Sequence, residues 1–242
     1  MAAGRGVQSL ETMPPDAGVS WNLNGQKLGR KGRDTRARII AAAAELVAEE
    51  SGVPVTLSAV ARRCSLGTTS LYVYFNDLTE LLIALLEPVT ATAEDAFIAR
   101  LRPLWPDDAI GLHSRHFVEA YHAHWLQHAP ILHLRNSMAD AHDRRMMEHR
   151  ISAAQPLIHL LAAQMGGNPA ATSSHAFAMA SMLMTGLERA ATVWTDTMLH
   201  RMFDTPAFNG IERLLAPAAR LLELAIRDAR QTMPAGERRF SG

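Results

Sequence analysis

The fold is decided by residues 56–75, TLSAVARRCSLGTTSLYVYF, where two short helical patterns flank a tight turn. Thr56 is a typical N-cap, because its hydroxyl can accept a hydrogen bond from the free backbone N–H groups of the following turn. Apolar side chains spaced three and four residues apart predict a first helix over 57–64 and, after a turn at 65–67, a second over 68–75. Two short helices joined in this way predict a helix-turn-helix unit.

Basic side chains are concentrated around this stretch, although the chain of 242 residues has a formal net charge of zero. Residues 27–75 hold eight Lys and Arg against four Asp and Glu, whereas residues 76–242 hold fifteen against eighteen. The densest run is 27–38, which leads into a further helix predicted over 35–50. This uneven distribution indicates a nucleic-acid-binding module joined to another domain. A solvated charged arm is the alternative.

The second helix of the unit offers side chains suited to reading DNA. Thr68, Thr69 and Ser70 open it with methyl and hydroxyl groups that fit base edges, and tyrosine hydroxyls can donate to phosphates. Leu71 and Phe75, four residues apart, predict its buried side. Together with the basic residues and the turn, the predicted contacts to double-stranded DNA are Lys31, Arg33, Arg36, Thr56, Gly67, Thr68, Thr69, Ser70, Tyr72 and Tyr74.

The stretch that starts at Thr56 resembles the DNA-binding domain of the TetR family of bacterial repressors. It has the capping Thr, an apolar-Ala pair in helix two, Leu-Tyr-x-Tyr-Phe at 71–75 and an acidic-apolar fourth helix, and the sequence around Arg36 resembles the family's first helix. The resemblance covers about residues 33–86. It implies a ligand-responsive repressor that binds palindromic operator DNA as a homodimer, with helix four joining the DNA-binding domain to a helical ligand-binding and dimerisation domain.

Four positions depart from the family pattern. The family usually has Gly where this chain has Ser65, Ser where it has Gly67, Gly where it has Thr69, and Lys where it has Leu78. These departures concern the operator sequence and some phosphate contacts rather than the fold. They also motivate one alternative function, a TetR-like protein that has lost DNA binding.

The whole chain is predicted to be all-α, since no segment shows the strict alternation of a strand. Beyond the helix-turn-helix unit, helices are predicted over 78–99, 107–128, 130–137, 139–165, 169–200 and 208–231. The expected domains are a disordered tail over 1–26, a DNA-binding domain with a basic arm over 27–80, a ligand-binding and dimerisation domain over 81–232, and a flexible tail over 233–242.

Composition narrows the class of protein. With 48% hydrophobic and 20% charged residues, the chain has the profile of a soluble globular protein. Its single cysteine excludes an intramolecular disulfide and a multi-cysteine zinc site. The longest apolar runs have six residues, so we expect no membrane span. Without a recognisable secretory signal, the expected location is the cytoplasm.

Histidines and methionines mark the second domain. Eight of the eleven histidines lie between positions 113 and 149, several of them at helical spacing on one face with two aromatic residues. Nine of the twelve methionines lie between 138 and 202, and methionine is common at adaptable binding surfaces. The predicted pocket for an apolar or aromatic small molecule comprises Trp105, His113, Phe117, Tyr121, His124, His128, Met146, Met179, Met182 and Arg189. Plain core packing is the alternative for both sets.

The histidines also allow a different function, a helical-bundle metal-dependent enzyme that uses the His113–His149 cluster. His124 and His128 are one helical turn apart and could share a metal. No acidic or cysteine partner is spaced to complete that site, and no set of nucleophile, base and orienting group is visible. We therefore expect no metal, no cofactor and no catalysis.

The last two predicted helices carry apolar stripes. The resemblance to TetR-family repressors implies that such a pair forms a four-helix interface in a homodimer, and the reading of a palindrome requires twofold symmetry. The predicted interface residues are Leu183, Leu187, Trp194, Leu214, Leu221 and Leu222. Completion of the monomer core is the alternative.

Overall fold

Helices and connecting turns make up residues 28–49, 54–168, 172–202 and 211–232, which a computed structural model describes. No strand occurs in these ranges, and the all-α prediction is confirmed. The tails predicted over 1–26 and 233–242 lie outside them. No helix within the described ranges has the length and apolar character needed to cross a membrane. The helices are α1 (Arg30–Ala48), α2 (Leu57–Arg63), α3 (Thr68–Leu71), α4 (Leu78–Ala96), α5 (Ile110–Gln127), α6 (Ala129–Asp140), α7 (Arg144–Gln164), α8 (His175–Trp194), α9 (Thr197–Met202) and α10 (Ile211–Thr232), with a 3-10 turn at Ile98–Leu101.

The chain divides into two compact units between Leu81 and Leu82. In the first unit, α1, α2 and α3 pack around a small apolar core that includes Ile39, Leu71 and Phe75, all fully buried. Leu71 and Phe75 form the buried side that their four-residue spacing predicts. In the second unit, α5 packs on α10, and α7 packs on α6 and α8.

Both ends of the helix-turn-helix region differ from the predicted boundaries. α1 begins at Arg30, so part of the predicted basic arm is helical. This start is supported by Leu28, which is buried and whose carbonyl accepts a hydrogen bond from Arg33 Nη1 at 2.8 Å. α3 ends at Leu71 and continues as a turn, in which the Phe75 N–H still donates to the Leu71 carbonyl at 3.1 Å. A four-residue apolar spacing is thus satisfied without a regular helix.

Two predicted long helices are interrupted. The helix predicted over 139–165 begins at Arg144, because α6 extends to Asp140 and the chain then turns at His142, whose φ is 67°. The helix predicted over 169–200 is split into α8 and α9. The break lies at Asp196, whose Oδ1 accepts a hydrogen bond from the Met198 N–H at 2.8 Å.

A buried glutamine fixes the segment between the 3-10 turn and α5. The Gln164 side chain donates through Nε2 to the carbonyls of Leu101 and Pro103 at 2.9 and 2.8 Å, and its Oε1 accepts from the Trp105 N–H at 3.0 Å. Arg230 of α10 donates to the carbonyls of Gln164 and Trp105, both at 2.8 Å. These bonds satisfy backbone groups that would otherwise be buried without partners.

Candidate nucleic-acid interface and ligand cavity

The turn between α2 and α3 has the hydrogen bonds of a Schellman motif. The Ser65 N–H donates to the Arg62 carbonyl at 3.1 Å, and the Leu66 N–H donates to the Ala61 carbonyl at 2.9 Å. Ser65 itself has φ 55°, in the left-handed region that favours glycine. The position where TetR-like sequences usually have Gly is therefore the one position of this turn that needs it.

Side chains of α1 hold α2 in place. Arg38 Nη2 donates to the Cys64 carbonyl at 2.8 Å, and Arg63 donates to Glu49 Oε1 at 2.6 Å and to Glu45 Oε2 at 3.2 Å. Burial raises the pKa of the Cys64 thiol, which keeps it protonated at neutral pH. These contacts fix α2, against which α3 packs. Cys64 is buried, and its role here is structural.

The surface of α3 is polar. Residues 67–70 are all exposed, and Tyr72 is 51% exposed, whereas Tyr74 is half-buried. On α1, Lys31 and Arg33 are exposed. Leu71 and Phe75 are buried in the core of the first unit, so they anchor the segment that exposes the small hydroxyl side chains.

The prediction of Arg36 as a DNA contact needs correction. Its side chain is 8% exposed, and its guanidinium lies 4.9 Å from the centroid of the Phe75 ring, which indicates a cation–π interaction inside the first unit. Thr56 is exposed, but its Oγ1 accepts the Ala59 N–H at 3.1 Å, so its first role is the predicted cap. Arg62, which the prediction omitted, is an exposed basic side chain at the end of α2.

The second unit contains a cavity of about 160 Å³. Its walls come from α4, the 3-10 turn, α5, α6, α7 and α8, and are mainly apolar, with the aromatic rings of Phe97, Tyr121 and Trp125. Of the ten predicted pocket residues, Tyr121 and His124 line it. Of the predicted α5 face, Tyr121 and His124 therefore border the cavity, whereas His113, Phe117 and His128 do not.

The other eight predicted pocket residues do not line this cavity. Trp105 is fully buried and stacks on His113, with ring centroids 5.5 Å apart. The remaining six are Phe117 and Met146, both fully buried, His128, whose ring lies 4.8 Å from that of His124, and Met179, Met182 and Arg189 of α8. Core packing, the alternative that the sequence left open, accounts for the buried members of this set.

Sequence reasoning missed the charged residues that line the cavity. Arg135 of α6 is buried, and it donates through Nη2 to Glu188 Oε1 of α8 at 2.7 Å and through Nε to Asn136 Oδ1 at 3.0 Å. His149 of α7 also lines the cavity, with Nε2 3.4 Å from Thr90 Oγ1. These residues lie on different helices, so no short-range spacing connects them. The only sequence signal is the occurrence of charges within otherwise apolar segments.

The imidazoles around the cavity are neutral at pH 7. Burial, helped by His128, lowers the pKa of His124 to about 4, and burial together with Arg135 lowers the pKa of His149. Burial also raises the pKa of Tyr121, which keeps its hydroxyl protonated. Among the described residues, no three His, Cys, Asp or Glu side chains are grouped so that they could hold a metal ion.

The predicted dimer residues differ in exposure. Leu221 of α10 is 59% exposed, and the half-buried members are Leu183, Leu187, Trp194 and Leu214. Leu222 is buried within its own chain, and its assignment to the interface is corrected. Leu221 and Leu222 thus lie on different sides of α10, Leu221 toward the surface and Leu222 toward its own core.

Known proteins resemble the chain at two levels, a family match within residues 39–85 and a similar fold over most of the chain. Residues 39–85 match the family of bacterial regulatory proteins named tetR. The fold is similar to that of the fatty acid degradation regulator FadR from Bacillus halodurans, with a TM-score of 0.56 and 15% identity over 82% of this chain and 97% of that chain. It is also similar to a TetR-like transcriptional regulator from Rhodococcus sp. RHA1, with a TM-score of 0.52 and 17% identity over 86% of this chain and 100% of that chain. No curated protein matches the sequence.

Proposed function

We propose that this chain, whose residues 39–85 belong to the TetR family of bacterial regulatory proteins, is a repressor that binds a palindromic operator as a homodimer and releases it when a small molecule binds the second unit. The observation that carries the proposal is the exposed polar surface of residues 67–70 and Tyr72 on an anchored helix-turn-helix. Small hydroxyl side chains on a short, fixed helix suit readout of the major groove.

Each part of this surface has a role in the proposal. Residues 68–70 approach base edges, and the hydroxyls of Tyr72 and Thr56 donate to phosphates. Lys31 and Arg33, both exposed on α1, add attraction for the DNA backbone. Residues 27–75 hold eight Lys and Arg against four Asp and Glu, a modest excess, so we expect a gentler dependence of affinity on salt than in heavily basic DNA-binding proteins.

We propose that α8 and α10 form the dimer interface. They expose large apolar side chains, Met182 at 73% and Leu221 at 59%, beside the half-buried Leu183 and Leu187. Two copies that bury these side chains would also provide the twofold symmetry that a palindrome requires. Sedimentation at micromolar concentration should show a dimer, and a monomer would contradict this part of the proposal.

The cavity of the second unit is the proposed effector site, because its apolar and aromatic walls suit a small organic molecule. By linkage, a molecule that weakens DNA binding by some factor must bind the DNA complex more weakly by the same factor. The proposal includes no catalysis, since the matched family and the two similar structures are transcriptional regulators. It places the protein in the bacterial cytoplasm, where its operator would be.

A double substitution tests the DNA contacts directly. Thr68→Ala with Tyr72→Ala removes two exposed side chains while the core of the first unit stays intact. On a duplex that the unmodified protein enriches from random DNA, a mobility shift should show a loss of at least about 2 kcal/mol, roughly thirtyfold in Kd. Leu112→Ala with Leu126→Ala, both exposed on α5, is the matched control and should bind normally. Equal binding by the Thr68/Tyr72 variant would refute the assigned contacts.

A further inference from the structure

The Arg135–Glu188 ion pair in the cavity wall leaves one donor group and one acceptor atom unused. Arg135 donates through Nε and Nη2, and Glu188 accepts through Oε1, which also receives Asn136 Nδ2 at 3.3 Å. Within the part of the chain that the structure describes, Nη1 of Arg135 and Oε2 of Glu188 make no hydrogen bond. Both residues line the cavity. A free donor and a free acceptor therefore belong to one bonded pair at its wall.

The charges of the cavity wall are already balanced. Arg135 and Glu188 neutralise each other at 2.7 Å, and Arg150, the remaining charged lining residue, pairs with Asp140 at 2.8 Å. The lining imidazoles are neutral at pH 7. An ionised ligand group would lose its hydration here without meeting an unpaired opposite charge. A neutral group with both a donor and an acceptor would lose less and could use both free positions.

The volume of the cavity matches a ligand of about one ring. A cavity of about 150 Å³ lined by Leu, Ile and Phe is large enough to hold benzene, and this cavity has about 160 Å³. Phe97 and Tyr121 meet edge to face at 5.2 Å beside it, and Trp125 completes the aromatic wall. Such walls favour a flat aromatic body.

We propose that the effector is an uncharged, single-ring molecule whose polar end carries an N–H or O–H donor next to an acceptor, as in a carboxamide. The donor binds Glu188 Oε2 and the acceptor binds Arg135 Nη1. This assignment rests on the proposed function only for the statement that the occupant regulates DNA binding. Molecules of the same shape with a carboxylate or an amidinium bind more weakly, because Glu188 repels the first and Arg135 repels the second.

Three compounds of nearly the same shape test the proposal: benzamide, benzoate and benzamidinium. In titration calorimetry of the full chain at pH 7 without DNA, benzamide should bind at least tenfold more tightly than either ion. Glu188→Gln leaves Arg135 without its counter-charge, so the affinity for benzoate should rise by more than its starting deficit, and benzoate should bind more tightly than benzamide. Glu119→Gln, which changes an exposed pair with Arg115 on α5, should keep the order of the unmodified protein.

The unmodified protein decides the question by itself, so the test does not depend on folding of the Glu188→Gln variant. Similar affinity for the three compounds, tightest binding of either ion, or no benzamide binding up to its solubility limit overturns the proposal. Failure of the proposed function looks different. If the chain selects benzamide but binds no DNA, the cavity assignment holds and the repressor role is wrong. If the chain binds an operator but does not discriminate among the three compounds, the repressor role holds and the cavity assignment is wrong.

Discussion

Replacing Ser65 with glycine should stabilise the first unit. Ser65 has φ 55° between α2 and α3, and both hydrogen bonds of the turn use backbone atoms that the substitution keeps. The Ser65 side chain is exposed and makes no hydrogen bond with any described residue. Its removal therefore takes away no interaction and relieves only the contact between Cβ and the backbone in the left-handed conformation.

The expected gain follows from two opposing terms. A residue with a Cβ costs about 1–2 kcal/mol in the left-handed conformation. Replacement by glycine removes this cost, but glycine loses about 0.5–1 kcal/mol more in conformational entropy on folding, which offsets part of the gain. The net stabilisation from Ser65→Gly should therefore be about 0.5–1 kcal/mol.

Urea denaturation, together with hydrogen exchange of the α2 amides to isolate the first unit, measures this effect. The control is Ser58→Gly, the same chemical change at an exposed helical position of α2, which should destabilise by about 0.5 kcal/mol. Opposite signs for the two substitutions would support the assigned turn. Loss of stability in Ser65→Gly, or equal effects at both positions, would refute the left-handed conformation of Ser65.

Three further predictions concern the second unit. His142→Gly, at a turn with φ 67°, should stabilise by about 0.5–1 kcal/mol in urea denaturation, and Gly166→Ala, at φ 79°, should destabilise by about 1 kcal/mol; equal signs would contradict the turn assignments. Gln164→Leu should destabilise by about 3 kcal/mol, because it leaves buried backbone groups such as the Trp105 N–H without partners, and a change below 1 kcal/mol would contradict that role. Lowering the pH from 7 to 5 should destabilise the fold. His124 takes up a proton below pH 6.5 in the unfolded chain, whereas in the folded chain its pKa is about 4 and it stays neutral. This loss is about 1.4 kcal/mol per pH unit below pH 6.5, where unfolded His124 is protonated and folded His124 is not. It should shrink in His124→Gln, and a rise in stability would contradict it.

The helix-turn-helix was predictable because neighbouring residues build it. Thr56 caps α2 by accepting a hydrogen bond from the backbone N–H of Ala59, three residues further along the chain. The hydrogen bonds of the turn join residues that are at most five positions apart. The length of α3 was less predictable, since the spacing of Leu71 and Phe75 fits both a helix and a tight turn. The role of Arg36 depends on the Phe75 ring, which only the tertiary fold brings near, so a basic side chain in a basic segment was assigned to DNA.

The cavity was predictable only where it follows one helix. Tyr121 and His124 belong to a single face of α5, whose periodicity the sequence displays. Arg135 and Glu188 lie on different helices and are 53 residues apart in the chain, and no local pattern indicates such a pair. The same limit explains Leu222, because an apolar stripe has the same appearance in the sequence whether it packs within the chain or against a second copy.

Whether this chain recognises an operator is measured by selecting binding sites from random duplex DNA with the purified protein. We expect enrichment of an inverted repeat whose half-site centres lie about one helical turn apart, and a mobility shift on that duplex that Thr68→Ala with Tyr72→Ala removes. No enrichment, together with no shift of any DNA pool at low salt, would contradict the assignment of this chain as a DNA-binding regulator.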